Sequence, residues 1–329
     1  MSSLAPHLQR FFTERLIGQR RVSPHTVAAY RDAFRLLLVF IQQKIHKAPS
    51  MVDLADVNAD LVVAFLAHIE KDRKNGVRTR NARLAAIQSF FHYVAFEEPG
   101  QSALIQRVLA IPSKRAERKL LTFLDTNEID ALLAAPDPKT ALGRRDHCLL
   151  LLAIQTGLRV SELTQLRWEN ISLESGPHVR CRGKGRKDRC TPLTSETVAV
   201  FRAWNRLLRP LSSDPLFSSR LHGHMSRDAV EHLISKYATA ASISCPALKK
   251  KRISPHTLRH TSAMRLLAAG AERTVIALWL GHESIETTEI YIHADMSLKE
   301  RAMQRTASLP GNRRRYRPPD RLLAFLESL

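Results

Sequence analysis

The chain has few cysteines and no long hydrophobic run. Its 329 residues include only four cysteines, with no CxxC pair and no His-rich spacing of the kind that binds zinc. No segment approaches the roughly 18 to 20 apolar residues of a membrane-spanning helix, and the first ten residues contain no signal-peptide core. We therefore expect a soluble, cytoplasmic protein with reduced cysteines, no bound metal and no membrane partner.

Glycine and acidic residues are also scarce relative to the rest of the chain. Only 12 glycines and 16 prolines accompany 44% hydrophobic residues, which is enough apolar material for two packed domains. The 51 lysines and arginines outnumber 31 acidic residues, so the formal net charge is +20, and the basic residues are spread along the whole chain. Because basic side chains release counterions when they meet phosphates, this balance predicts a polyanionic partner.

The first hundred residues carry helical patterns. Ser23 and Pro24 supply an N-cap and a first-turn proline for a helix over residues 25–41, and further helices are predicted over residues 58–71 and 79–96. The third helix is predicted to place basic residues on one side and apolar residues on the other. Those basic residues, Arg78, Arg80 and Arg83, either form a solvated face or contact phosphates, and the pattern supports both interpretations equally.

The helical pattern weakens between residues 98 and 121. Residues 111–119 contain a basic run, including Lys114 and Arg115, that we interpret as an interdomain linker lying along a nucleic-acid backbone. The chain then divides into a helical domain over residues 1–110, a second domain over residues 120–310, and a basic tail over residues 311–329 that ends in an apolar segment.

The second domain is predicted to be helical with one β-hairpin. Helices are expected from Asp125 or Thr126 to residue 135 and over residues 145–156, 161–166, 195–208, 226–240, 255–269, 274–280 and 297–307. The hairpin over residues 176–192 is the only clear β element, and Cys181 and Cys190 flank its turn. They could face each other across the strands, although reduced packing residues are the simpler interpretation. The fold class is therefore mainly α with a small β-sheet.

Phosphodiester cleavage by a protein nucleophile requires an attacking hydroxyl, cations around the phosphate and a proton donor for the leaving oxygen. Arg159 lies just after the Gly157 turn, and Glu162 can lie on the same face of the following helix, where it would orient the arginine. A guanidinium held in this way matches a phosphate with two parallel hydrogen bonds.

A second cationic cluster and a candidate nucleophile follow. The sequence predicts that His256 and Arg259 share one face in the first turn of a helix, where the helix dipole favours an anion. A Gly-His pair ending at His282 closes another helix, and Tyr291 comes nine residues later. Each feature alone is weak evidence of function.

Together these residues form an ordered set that resembles the signature of the tyrosine recombinase, or phage integrase, family, including its Xer-like members. The set is Arg159, Lys184, His256, Arg259, His282 and Tyr291, and the match extends to the stretches TGLRVSEL, HTLRH, LGH and TTEIY. The resemblance covers residues from about 120 to 310. It implies a two-domain, C-shaped clamp on DNA, with a helical core-binding domain and an integrase-type catalytic domain.

The resemblance also implies a role for each residue. Arg159 and Arg259 would clamp the scissile phosphate, and Glu162 would brace the arginine. Both histidines of the set would hydrogen-bond phosphate oxygens or move protons. Tyr291 would attack to form a 3′-phosphotyrosyl link without a metal or cofactor, and Lys184 would protonate the leaving 5′ oxygen. Arg186 and Lys187 lie on the same basic loop and are alternative DNA contacts, but the glycines on both sides of Lys184 favour it.

The family resemblance implies partners as well. These are double-stranded DNA, a tetramer of the protein in the synaptic complex, and possible companion recombinases, all in the nucleoid. The terminal apolar segment would be exchanged between protomers, with folding back onto its own domain as the alternative. The role would be integration, excision or transposition of a mobile element, although dimer resolution uses the same chemistry. A type IB topoisomerase-like enzyme and a catalytically silent DNA-binding regulator are the alternative functions.

Overall fold

The computed structural model describes residues 2–116, 121–182, 188–219 and 223–281, together with residues 288 and 291, and for Arg182 it describes the backbone alone. The chain forms two compact units, Met1–Lys119 and Leu120–Leu329. Within the described ranges, no helix is long and apolar enough to cross a membrane. Two features predicted from the sequence, the helix over residues 297–307 and the tail over residues 311–329, lie outside the described residues.

Helices make up the first unit. They are α1 (Leu4–Arg10), a π-helix (Phe11–Gln19), α2 (Pro24–Ile45), α3 (Ala59–Lys71), α4 (Val77–Glu97) and α5 (Ser102–Leu109), with short 3-10 turns at Pro49–Met51, Leu54–Asp56 and Pro99–Gln101. The predicted cap forms, since the Ser23 hydroxyl accepts from the backbone N–H of Thr26. The Asn58 side chain caps α3 in the same way by accepting from the backbone N–H of Leu61. The three predicted helices are thus confirmed, with α2 about a turn longer than expected.

An aromatic cluster forms the centre of this unit. The ring centroids of Phe11 and Phe90 are 5.5 Å apart, and those of Phe34 and Phe90 are 5.3 Å apart, both in edge-to-face arrangements. Helix α5 was not predicted. It buries only Ile105 and Val108, and its ends at Gln101 and Ala110 have neither a capping side chain nor a glycine to mark them in the sequence.

The second unit surrounds a buried helix with further helices and a small sheet. Its elements are α6 (Thr126–Ala134), α7 (Ala141–Thr156), α8 (Val160–Leu163), β1 (Ile171–Ser172), β2 (His178–Arg182), β3 (Asp188–Pro192), α9 (Ser195–Leu208), α10 (Arg227–Ser244), α11 (Pro255–Ala268) and α12 (Arg273–Leu280), with 3-10 turns at Trp168–Asn170 and Pro246–Lys250. Four consecutive leucines of α7, residues 149–152, are all buried, so this helix is surrounded by the core on every side.

The sheet corrects the sequence prediction in one respect. Strand β1, with only two residues, pairs with β2 and makes the sheet three-stranded rather than a hairpin alone. In the register of β2 and β3, Cys181 lies opposite Arg189 and Cys190 lies opposite Arg180. Because neighbouring residues of a strand point to opposite faces, Cys181 is buried while Cys190 is exposed, and the two cysteines do not face each other.

Helix α8 also differs from the prediction, which placed it over residues 161–166. It spans Val160–Leu163, and Arg159 occupies the N-cap position with an extended backbone. The carboxylate of Glu162 accepts a hydrogen bond from the backbone N–H of Arg159 at 2.7 Å, and this fixes the start of the helix.

Candidate active site

Two helix ends meet at the candidate site, and each ends with a glycine. Gly157 follows α7 with φ +62°, and Gly281 follows α12 with φ +64°, in the left-handed region that favours glycine. The last carbonyl groups of a helix lack partners within the helix and carry partial negative charge. These two ends therefore form a natural binding place for cationic side chains.

Two arginines occupy these helix ends. The Arg259 side chain, on α11, donates to the backbone oxygens of Gly157 and Leu280, both at 2.6 Å, and the residue is only 5% exposed. Arg159 donates from Nη2 to the backbone oxygen of Gly281 at 2.8 Å. Main-chain carbonyls of α7 and α12 thus orient both guanidinium groups before any substrate binds.

The charges of these arginines influence each other. Burial, followed by the positive charge of Arg159, lowers the pKa of Arg259 to about 10. Arg259 is therefore still protonated at neutral pH. Two like charges held close together in a partly buried pocket repel each other, and an anion bound between them would relieve that repulsion.

Glu162 accepts hydrogen bonds from Arg159 and also from Arg189, a residue that was not predicted from the sequence. Its Oε1 accepts from Arg159 Nη1 at 3.0 Å, and its two oxygens accept from the guanidinium of Arg189 at 2.9 and 2.8 Å. Burial alone would raise the pKa of Glu162, but the hydrogen bonds and charges of Arg189 and Arg159 together lower it. The carboxyl group is therefore ionised.

The phenol of Tyr291 lies in the same pocket. The residue is only 1% exposed and packs in a small apolar cluster with α11 and α12. Its hydroxyl lies 3.2 Å from Nδ1 of His260, and the two rings meet edge to face with centroids 5.6 Å apart. Burial raises the pKa of Tyr291, while the charges of Arg259 and Arg159 act in the opposite direction.

Two histidines of α11 are neighbours at this site. The rings of His256 and His260 stack at 6.5 Å, and His256 is exposed to solvent. Burial, together with the nearby His256 and Arg259, lowers the pKa of His260 to about 4. His260 is therefore neutral at physiological pH, so that one of its ring nitrogens can accept a proton.

Other predicted site residues are not described by the structure. Lys184, Arg186, Lys187 and His282 lie outside the described residues. Gly281, the residue immediately before His282, is at the site. Among the residues that are described, no group of His, Cys, Asp and Glu side chains could hold a metal ion.

Five DNA contacts were predicted in the first unit, and three of them, Arg80, Arg83 and Lys114, bond to other residues of that unit. Arg78 and Arg115 are exposed. Arg80 is 5% exposed and donates to the backbone oxygen of Pro112 at 2.9 Å. Arg83 donates to the backbone oxygen of Ala29, and the ammonium group of Lys114 pairs with Glu70 at 2.6 Å.

The prediction of a one-sided arginine face on α4 is therefore wrong for Arg80. This residue lies four and seven positions before Leu84 and Ile87, both fully buried, and so belongs to the apolar face of the helix. Its guanidinium holds the segment that leaves α5 instead of facing solvent.

Sequence signals for the two missed residues were present. His260 follows Arg259 directly in the HTLRH box, and its spacing of four from His256 places both on one face of α11. Arg189 alternates with the exposed Cys190 on β3, so strand periodicity directs it toward the buried face.

Comparisons with known proteins give matches in both units of the chain. The family model described as "Phage integrase family" matches residues 122–297, and that described as "Phage integrase, N-terminal SAM-like domain" matches residues 9–98. A Sinorhizobium fredii protein named integrase/recombinase y4rC is 51% identical over 330 residues, which cover 100% of this chain and 99% of the relative. The tyrosine recombinase XerD of Pseudomonas putida is 32% identical over 287 residues, covering 86% of this chain and 91% of XerD.

Solved structures share the fold. The XerH site-specific recombinase bound to a palindromic difH substrate, in a post-cleavage complex, superposes with a TM-score of 0.68 at 20% identity, covering 87% of this chain and 81% of that chain. The Tn1549 transposon integrase in complex with circular intermediate DNA gives a TM-score of 0.67 at 16% identity, covering 93% of this chain and 100% of that chain. At these identities the likeness shows the fold alone.

Proposed function

Because the chain belongs to the phage integrase family, we propose that its cationic pocket cuts and rejoins DNA strands with Tyr291 as the nucleophile. The chain is a tyrosine-type site-specific recombinase, an enzyme that acts on double-stranded DNA. One observation carries the assignment of the site. The phenol of Tyr291 lies in the same buried pocket as Arg159 and Arg259, whose charges act on it.

The two arginines would bind the scissile phosphate. The hydrogen bonds described above use two of the five N–H donors of each guanidinium, so further donors can face the phosphate oxygens. Their positions are fixed in advance by main-chain carbonyls and by Glu162. They would therefore stabilise the charge that develops on phosphorus without reorganising during the reaction.

Strand cleavage then follows as one displacement. As the Tyr291 oxygen bonds to phosphorus, its proton passes to the neutral imidazole of His260, and the bond to the 5′ oxygen breaks. Lys184 supplies a proton to that oxygen, and His256 and His282 hydrogen-bond the phosphate. The product is a 3′-phosphotyrosyl link, which a second DNA end displaces by the reverse chemistry.

The biological setting that we propose is a mobile element. The full-length similarity to the S. fredii integrase/recombinase supports integration, excision or transposition over dimer resolution. The protein would assemble as a tetramer on DNA in the nucleoid of the cytoplasm, with or without companion recombinases. The apolar segment at the end of the chain, residues 322–329, would dock on a neighbouring protomer.

A covalent-capture experiment tests the nucleophile and finds the cleaved DNA sequence at the same time. The full-length protein is incubated with a pool of nicked duplexes that carry randomised cores, so that the cleaved strand diffuses away and the adduct accumulates. Protein-linked DNA is recovered under denaturing conditions and sequenced, and the linked peptide is mapped. We expect the link at Tyr291, with one enriched DNA sequence.

Tyr291→Phe is the control, since it lacks only the hydroxyl oxygen. It should bind the enriched duplex as tightly as the unchanged protein and yield no adduct. An adduct in this variant would assign the nucleophile to another residue. Efficient relaxation of a plasmid that lacks the enriched sequence would instead favour a topoisomerase, and binding without any adduct would favour a silent regulator.

A further inference from the structure

Arg189 connects three parts of the second unit. It lies on β3 opposite Cys181, and its side chain is only 12% exposed. Its guanidinium forms two hydrogen bonds to the carboxylate of Glu162. It also touches the end of α12, since a Cβ atom on Gly281 would lie only 2.7 Å from Arg189 Nη1.

The carboxylate of Glu162 is shared between two arginines. Its Oε1 accepts from Arg159 Nη1 and Arg189 Nη1, and its Oε2 accepts from the backbone N–H of Arg159 and from Arg189 Nη2. One negative charge therefore faces two positive charges, and the group as a whole carries a net charge of about +1.

That net charge matters for binding an anion. A carboxylate that pairs with Arg159 alone would orient the guanidinium but would also neutralise it, because the two groups lie only 3.0 Å apart. Engagement of the same carboxylate by Arg189 leaves the positive charge of Arg159 available. Burial would raise the pKa of Glu162, yet the two arginines keep it low, so the carboxylate stays charged while it serves both.

We propose that Arg189 is a positioning residue for strand cleavage: it engages Glu162 so that this carboxylate orients Arg159 without cancelling its charge toward the scissile phosphate. The inference rests on the proposed function, in which Arg159 binds that phosphate. Arg189 also lies five residues after Lys184, at the base of the β2–β3 hairpin. Its ion pair with Glu162 therefore connects this hairpin to Arg159.

The test compares two DNA substrates that differ in charge. Both carry the cleavage sequence found by covalent capture, one with a normal scissile phosphate and the other with a methylphosphonate, which has lost one negative charge. A neutral linkage depends less on cations than a phosphate does. Adduct formation is measured in single turnovers with enzyme in excess, for the unchanged protein, Arg189→Met, Arg189→Lys, and Arg189→Met combined with Glu162→Gln.

We expect Arg189→Met to slow cleavage of the phosphate substrate by about 10- to 100-fold, the loss typical when a residue that orients a metal-binding side chain is removed. Cleavage of the methylphosphonate should fall by less than about 3-fold, because Arg159 contributes less to a neutral linkage. Adding Glu162→Gln should restore part of the phosphate activity, since it removes the uncompensated carboxylate. Arg189→Lys keeps the charge and should be intermediate.

Arg180→Met is the matched control, because it removes an exposed arginine from the same hairpin. It should affect both substrates equally. Equal losses on both substrates for Arg189→Met, or no recovery in the double variant, would overturn the proposal and leave Arg189 a structural residue. If Arg189→Met does not fold, Arg189→Lys and the double variant decide by the same comparison. Failure of the proposed function is distinguishable, since the unchanged protein would then form no adduct at Tyr291.

Discussion

Replacing Gly157 by alanine should destabilise the second unit by about 2 to 4 kcal/mol. The left-handed backbone conformation at φ +62° costs a residue with a Cβ atom about 1 kcal/mol. The added Cβ would also lie 2.6 Å from Leu280 Cδ2 and 3.0 Å from Ser262 Cβ. Leu280 is fully buried and has little room to move, so this overpacking should cost about another 1 to 3 kcal/mol.

The protein offers a matched control for the two contributions. Gly176 has nearly the same φ, +63°, but a Cβ at that position would meet no atom within 4 Å. Gly176→Ala should therefore lose only the backbone contribution, about 1 kcal/mol. All three tryptophans, Trp168, Trp204 and Trp279, belong to the second unit, so tryptophan fluorescence in a urea titration reports on that domain.

The same substitution should also slow cleavage, because the backbone oxygen of Gly157 accepts a hydrogen bond from Arg259. The result that would refute this reasoning is an equal loss of stability in Gly157→Ala and Gly176→Ala. It would mean that the contacts around Gly157 relax freely and that packing does not fix the helix end.

Two further predictions concern solution conditions. Lowering the pH from 7 to 5 should destabilise the second unit, because the pKa of His260 is about 4 in the folded state against 6.5 in the unfolded chain. Stability is therefore lost as the pH falls below 6.5. After allowance for its partial exposure, we expect this residue to contribute about 1 to 2 kcal/mol of the loss. Urea titrations of His260→Asn should show a flatter dependence of the unfolding free energy on pH. An unchanged dependence would assign the effect to other groups. DNA binding should weaken steeply with salt. The logarithm of the binding constant, measured by filter binding, should fall with the logarithm of the salt concentration with a slope of about −5 or steeper if six or more phosphates are contacted. A slope near −2 would show that most of the +20 charge does not contact phosphates.

The helices that the sequence predicted are those with clear local signals. Ser23, Asn58 and Asp125 each accept a hydrogen bond from the N3 backbone N–H of the helix that they precede, and such caps are readable without any tertiary information. Strand β1 and helix α5 were missed for the opposite reason. Strand β1 has only two residues, and α5 has no capping side chain and buries only two residues. Both elements depend on neighbouring strands or helices.

The site residues that belong to sequence motifs were predicted, whereas the side chains that contact them were not. The boxes around Arg159, Arg259 and Tyr291 were identified from the sequence, and the structure brings all three together. Helical spacing and strand alternation indicate the faces of His260 and Arg189, but their contacts depend on the packing depth of Tyr291 and on the register of β3, which are tertiary properties. Arg80 was misassigned for a different reason: its charge suggested the basic face, whereas its spacing of four and seven from Leu84 and Ile87 places it on the apolar face.

The two helix ends that hold the arginines have an evolutionary consequence. The acceptors for Arg259 are backbone oxygens, which every amino acid supplies, so no point mutation at either position deletes them. Side chains elsewhere on the surface can therefore change while the Arg259 guanidinium keeps the same anchor. Substitution is constrained instead at Gly157 and Gly281, because their left-handed backbone conformation directs those oxygens into the pocket.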